Sequence, residues 1–145
     1  MLAIACLLNL LLPAAEIQNH RWEDNELTVV PLRSVGFFDS EMVGFTIPVI
    51  ALGIVTVLSG LLAARTLKKG PMIRVGILGI ALAACVWFAG FEATTLHHPD
   101  ASATASRLGG HLSGALALAI FILSVIALIV SRNLAPLILK TPPSR

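Results

Sequence analysis

The stretch LSGALALAIFILSVIALIV, residues Leu112–Val130, decides the fold class, because it runs for 19 residues without a charge. A helix rises about 1.5 Å per residue, so it needs roughly 20 apolar residues to cross about 30 Å of hydrocarbon. Two other stretches pass this test: Val43–Ala64, with 22 uncharged residues, and Ile73–Phe91, which Arg74 interrupts only at its edge. These three stretches predict three membrane-spanning helices.

The overall composition also indicates a membrane protein. Of the 145 residues, 57% are apolar and 12% are charged, and the mean hydropathy is +0.90. A soluble domain has about 45–50% apolar and about 25% charged residues. The chain lacks the polar residues that would cover a soluble surface, and its hydrophobicity excludes intrinsic disorder. We therefore expect an integral membrane protein without a large soluble domain.

A fourth apolar run, Met1–Ala15, is shorter and reaches roughly 22 Å before Glu16. The alternatives are a cleaved signal peptide and a start further upstream, although the run lacks the basic region with which a signal peptide begins. We expect a retained first helix that continues through Glu16 towards His20. The predicted fold is an all-α integral membrane protein with four transmembrane helices in a single domain, both termini cytoplasmic. The spans are expected at about 1–18, 42–65, 73–94 and 111–131, with an outer loop at 19–41 that has room for a short β element, and a cytoplasmic tail at 132–145.

The charges divide between the two sides of this topology. One side, with the hairpin 65–74 and the tail, carries seven basic and no acidic residues, whereas the other carries eight acidic residues and three arginines. The positive-inside rule places the basic side in the cytoplasm and the acidic loops in the periplasm or outside, in a plasma (inner) membrane. The basic hairpin is expected to contact anionic headgroups. Without a folded basic domain, nucleic acid is not an expected partner.

Small residues recur four positions apart inside the predicted spans, a spacing that lets helix backbones approach closely. The candidate helix-packing residues are Gly110, Gly114, Thr56, Gly60, Gly79 and Ala83. Such spacing indicates close helix packing but does not identify the helix that packs against these residues.

The outer loop combines aromatic residues with a β-like run, LTVVPL at 27–32. Trp22, Phe37 and Phe38 predict either a loop that rests at headgroup level or a partner-docking surface. The acids at 39–41 are expected to cap the second span. The second outer segment, around 94–110, is expected to be a soft loop or one helical turn.

Four histidines, His20, His97, His98 and His111, all fall on the acidic side. Copper, zinc or a haem would accept such ligands, but the spacing matches no tight motif. We expect no cofactor, and a metal or haem at the outer face is the alternative. Cys6 and Cys85 lie in apolar runs and are expected to be packing residues rather than a disulfide.

The spans lack the groups that most membrane chemistry needs. Glu92 is expected at the outer edge of the bilayer, and a midplane carboxylate, a broken helix pair or an inverted repeat is absent from the sequence. We therefore expect no enzyme but a non-catalytic accessory subunit of a larger membrane complex of respiratory, photosynthetic or secretion type. The alternatives are a redox protein that uses the outer histidines, and a small homo-oligomeric transporter or channel.

Four predicted spans with a longer first outer loop that contains Trp22 resemble claudin-like membrane proteins in outline. The paired loop cysteines and the Gly-Leu-Trp element of that family are absent from this sequence. The resemblance is one of topology and implies no function.

Overall fold

The computed structural model describes residues 1–23, 26–66, 69–95 and 103–133. It is mostly helical, with a small antiparallel sheet. The elements in chain order are α1 (Leu2–Asn9), β1 (Pro13–Glu23), β2 (Glu26–Gly36), α2 (Val43–Thr66), α3 (Lys69–Thr95), β3 (Ala103–Ser106) and α4 (Leu108–Asn133). Helices α2, α3 and α4 are each long and apolar enough to cross a membrane. They coincide with the three long apolar stretches of the sequence.

The first helix is shorter than expected. The prediction that it continues through Glu16 is wrong, because α1 ends at Asn9 and β1 begins at Pro13. A proline disfavours the helical conformation of the residue before it, so the helix stops ahead of Pro13. With 8 residues, α1 is about 12 Å long. A fourth complete span is therefore not confirmed.

The sheet is larger than the short β element expected within residues 19–41. Its strand order is β2-β1-β3, and β1 and β2 have 11 residues each. The pairing is antiparallel throughout, with Trp22 opposite Leu27 and Ile17 opposite Thr104. The expectation of a soft loop or helical turn is wrong for the stretch 103–106, which forms β3 and pairs with β1.

The sheet lies at the end of the bundle where α2 begins, α3 ends and α4 begins; we call it the sheet end. The turn from β2 into α2 is fixed there by two side chains. The Thr46 hydroxyl donates to the carbonyls of Phe37 and Met42, and the Gly36 amide donates to Asp39 Oδ2 at 2.8 Å. The Asp39 carboxylate thus binds the turn that precedes α2. The first turn of α2 itself holds no acidic residue, so the expected acids lie in the turn before the helix.

The fully buried side chains gather where α1, the start of β1 and the sheet-end halves of the long helices meet. They include Cys6, Ile17, Phe37, Met42, Val49, Leu82, Val86 and Ala89. Because α2 buries only Thr46, Val49 and Gly53, its far half has no fully buried residue. The core thus leaves the far half of α2, whereas α3 and α4 stay closely packed at that end, where Ser131 is 1% exposed and Gly76 faces Leu128.

The charges remain divided along the bundle. The acidic residues of the described chain all lie at the sheet end: Glu16, Glu23, Glu26, Asp39, Glu41 and Glu92. The helix termini at the opposite end carry the basic residues Arg65, Lys69, Arg74 and Arg132. The fold thus keeps the charge separation that the sequence predicts.

Candidate functional site

The start of β1 is held tightly against α4. The Arg107 amide donates to the Ala14 carbonyl at 3.0 Å, and the Arg107 guanidinium forms an ion pair with Glu16. The Glu16 side chain is only 7% exposed and also accepts a hydrogen bond from Gln18 Nε2 at 3.1 Å. A Cβ at Gly110 would lie 2.7 Å from the Ala14 carbonyl oxygen, so a glycine is needed for this close approach. These contacts fix the base of the hairpin.

A buried amide fixes α1 to the same part of α4. Asn9 Nδ2 donates to the Gly109 carbonyl at 3.0 Å and to Ser113 Oγ at 2.9 Å. Ser113 Oγ in turn donates to the Gly109 carbonyl at 2.8 Å. Asn9 is 4% exposed, so these bonds form away from water and satisfy both donor hydrogens of the amide, whereas its Oδ1 has no hydrogen-bond partner among the described residues. Helix α1 and the base of β1 therefore form one unit with α4.

The far half of the hairpin has no comparable support. Among the described residues, strand β3 pairs with β1 only from Ala15 to Gln18, so beyond Gln18 the described part of the sheet consists of two strands. Every described residue from Asn19 to Ser34 is exposed. A strand rises about 3.3 Å per residue, so Asn19–Glu23 extends about 16 Å beyond the three-stranded part. We call this exposed part, residues 19–34, the distal hairpin.

The distal hairpin is amphipathic. Directly opposite residues of an antiparallel pair lie on the same face, and faces alternate along each strand. The register therefore places on one face, here called the apolar face, Trp22 and Leu27, His20 and Val29, and Pro31. The other face, here called the polar face, carries Asn19 and Val30, Arg21 and Thr28, and Glu23 and Glu26. On the apolar face, Trp22 and Leu27 are 72% and 50% exposed. Leu32, which is 48% exposed, lies at the irregularity between Pro31 and Arg33 and has no directly opposite residue in the register.

Exposed apolar residues mean different things in the two parts of this molecule. On the long helices they are expected, because they would face lipid. On a hairpin that extends beyond the helix ends, a cluster of exposed apolar side chains is a candidate binding surface. The apolar face is therefore the candidate functional site.

The three aromatic residues predicted for docking have different environments. Trp22 lies on the apolar face, and Phe38 is 55% exposed in the turn that follows β2. Phe37 is fully buried and covers Gly109 of α4. Its prediction as a docking residue is wrong, because its ring is part of the core.

The predicted helix-packing residues also fall into two groups, those that make close contacts within the chain and those that do not. Gly110 and Gly79 make close contacts within the chain, since a Cβ at Gly79 would collide with Ser124 Oγ, and Ala83 is 4% exposed. By contrast, a Cβ at Gly60 would meet nothing within 4 Å, and one at Gly114 would meet only the Trp87 ring at 3.9 Å.

Thr56 lines a cavity, and its buried hydroxyl has no hydrogen-bond partner in the described part of the chain. Sequence reasoning missed the close pair of Gly90 and Ser113, where an added Cβ would lie 2.8 Å from Ser113 Cβ. A small residue on one helix faces another on the next, which a search for spacing along a single helix does not detect.

The histidines do not form a site within the described residues. His20 lies on β1 and His111 on α4, both exposed, while His97 and His98 lie outside the described residues. The described part of the chain holds no group of three or more His, Cys, Asp or Glu residues placed to bind a metal ion. The expectation for a cofactor stays a prediction. Cys6 and Cys85 are both free.

Comparisons with known proteins identify no relative: no family model matches the chain, and neither a curated protein nor a solved structure matches it significantly. The residues of the hairpin and of the bundle therefore carry the functional argument.

Proposed function

We propose that this protein is a non-catalytic accessory subunit of a larger membrane complex, of respiratory, photosynthetic or secretion type, and that it contacts its partner through the apolar face of the distal hairpin. The observation that carries the proposal is the exposure of Trp22, Leu27 and Val29 on one face of a two-stranded hairpin. An isolated two-stranded hairpin is at best marginally stable in water. A partner that covers the apolar face would stabilise it.

Burial of this surface would contribute to the free energy of docking. Full burial of one large apolar side chain contributes about 1.5–3 kcal/mol. Trp22, Leu27 and Val29 are 72%, 50% and 46% exposed, so covering them would supply a few kcal/mol, which offsets part of the cost of association.

The charge near the tip of the hairpin favours a protein partner over the lipid surface. The sequence from 21 to 26 carries Arg21 against Glu23, Asp24 and Glu26, a net charge of −2. Anionic headgroups would repel this tip, whereas a partner surface with an apolar centre and a basic rim would complement it.

For orientation, the proposal follows the charge division. We place the sheet end in the periplasm or outside the cell and the end with Arg65, Arg74 and Arg132 in the cytoplasm, in a plasma (inner) membrane. The basic end then contacts anionic headgroups. The cytoplasmic position predicted for the N-terminus stays a prediction.

Single-cysteine labelling tests this orientation, on a background with Cys6→Ala and Cys85→Ala. Glu26→Cys should react with a membrane-impermeant thiol reagent in intact cells, and Arg65→Cys only after permeabilisation. The opposite pattern would reverse the orientation.

The docking proposal is tested by native electrophoresis of membranes solubilised in mild detergent from cells that express the chain naturally. We expect the wild type in a complex much larger than one chain. The double variant Trp22→Ser/Leu27→Ser should migrate as the free subunit. The matched control, Arg21→Ser/Thr28→Ala, changes the neighbouring cross-strand pair on the polar face and should migrate as the wild type does. If both double variants remain in the complex, the apolar face is not the docking surface.

A further inference from the structure

A titratable side chain lies within the apolar face of the distal hairpin. His20 is directly opposite Val29 in the register of β1 and β2, and Trp22 and Leu27 form the next opposite pair on the same face. On the other side of His20 the face continues with Pro31. Because His20 is exposed, a partner that covers the apolar face would also cover its imidazole.

The other charged groups of the described hairpin do not share this face. Strand β3 pairs with β1 only up to Gln18 and contains no titratable residue. Arg33 forms ion pairs with Asp39 and Glu41, beyond the irregularity in the register. Among the described residues, the charge of the apolar face therefore depends on His20. The described charged side chains of the distal hairpin lie elsewhere in the register: Arg21, Glu23 and Glu26 on the polar face, and Arg33 opposite Ile17.

The two charge states of an imidazole differ in how easily they are covered. Histidine is the side chain that ordinarily changes its charge between pH 5 and 8. A neutral imidazole loses little when one acceptor meets its N–H, whereas a buried imidazolium is costly unless a carboxylate pairs with it. A partner surface that complements the acidic tip has an apolar centre and a basic rim, and neither supplies a carboxylate. Docking against such a surface therefore favours the neutral form of His20.

We infer that docking through the apolar face requires a neutral His20 and weakens as the pH falls, an inference that rests on the docking proposed above. The sign follows from proton linkage: if the docked chain binds fewer protons than the free chain, acidification favours the free chain. In the proposed orientation His20 lies on the outer side of the membrane. The pH of the surroundings, rather than that of the cytoplasm, would then control docking.

Size-exclusion chromatography at two pH values tests this dependence, with a fluorescent tag on the chain and membranes solubilised in mild detergent from the cells that express it naturally. For the wild type, we expect the ratio of complex to free chain to fall about tenfold from pH 7.5 to pH 5.5. His20→Gln is neutral at both pH values and should stay in the complex at both. His20→Lys is charged at both and should elute mainly as the free subunit.

The matched control replaces the other three histidines, His97, His98 and His111, by glutamine. His111 lies on α4, outside the hairpin, and His97 and His98 lie outside the described residues. This triple variant should keep the tenfold change of the wild type. If it loses that change, another histidine carries the pH dependence and the inference is wrong.

Three further results would overturn the inference. The first is a wild-type ratio that is equal at the two pH values, and the second is a pH dependence that persists in His20→Gln. The third is stronger docking of His20→Lys than of His20→Gln, as expected if the partner presents a carboxylate to His20. If His20→Gln does not fold, His20→Phe takes its place, because a phenyl ring is also neutral at both pH values.

Failure of the docking proposal itself gives a different result. In that case Trp22→Ser/Leu27→Ser remains in the complex at pH 7.5. If that double variant leaves the complex while the wild type docks equally at both pH values, docking through the apolar face stands and only the role of His20 is wrong.

Discussion

The two halves of the β1–β2 hairpin share one ladder of hydrogen bonds but have opposite surroundings. In the half near the bundle, Ala15, Ile17 and Val35 are almost fully buried, and Glu16 forms an ion pair with Arg107. In the distal hairpin every described side chain is exposed, although one face is apolar. The fold accounts for the residues of the first half. It does not account for the apolar face of the second half, and this difference points to a binding partner.

Removal of Arg107 should damage the supported half most. The Arg107→Ala change leaves the carboxylate of Glu16 buried without its cation, and breaking such a pair costs about 3 kcal/mol or more when both groups are buried. The Arg107 side chain is 50% exposed, so we expect a loss of about 2–3 kcal/mol in the free energy of unfolding. Chemical denaturation in detergent measures this loss.

An exposed ion pair of the distal hairpin is the control. Arg21 and Glu23 lie 3.6 Å apart with side chains 74% and 57% exposed, so Arg21→Ala should cost less than about 1 kcal/mol. Adding Glu16→Gln to Arg107→Ala should recover much of the lost stability, because no buried charge then remains. Equal losses for Arg107→Ala and Arg21→Ala would remove the contrast between the two halves.

The amide clamp below the hairpin should have a smaller effect. Asn9→Leu removes two hydrogen bonds to α4, and interhelical bonds of this kind contribute about 0.6 kcal/mol each on average in membrane proteins. We expect a loss of about 1 kcal/mol in the free energy of unfolding. Leu8→Ala is the neighbouring control, because Leu8 is 61% exposed and should matter less. If Asn9→Leu is as stable as the wild type, the clamp does not support the hairpin base.

The smallest effect on stability should come from the distal hairpin itself. Trp22→Ser/Leu27→Ser changes exposed side chains, and such changes usually stay within about 0.5 kcal/mol each. The free energy of unfolding of the isolated chain should therefore hardly change. A loss of several kcal/mol would mean that the apolar face is covered by this chain, contrary to the fold described above.

The parts that the sequence predicts are those encoded by local composition. The three long apolar stretches give α2, α3 and α4, and the charge division survives in the fold. The end of α1 had a local signal in Pro13, which an apolar run of 15 residues obscured. The pairing of β1 with β3 and of Glu16 with Arg107 joins segments about 90 residues apart, which no local pattern reveals.

The candidate site was predicted only in part, because it too depends on strand pairing that no local pattern reveals. Aromatic content alone does not distinguish Trp22, on an open face, from Phe37, which is buried over α4. Only the strand register separates the apolar face from the polar face. Five consecutive exposed residues in β1 would otherwise look alike.

The most direct test of the central claim is site-specific photo-crosslinking in the cells that express the chain. A photoreactive amino acid is placed in turn at Trp22 and Leu27 on the apolar face, and at Arg21 and Thr28 on the polar face. We expect a single protein adduct of the same mass from positions 22 and 27, and little from 21 and 28. Equal adducts from both faces, or adducts with lipid alone at 22 and 27, would contradict the assignment of this face to a protein partner.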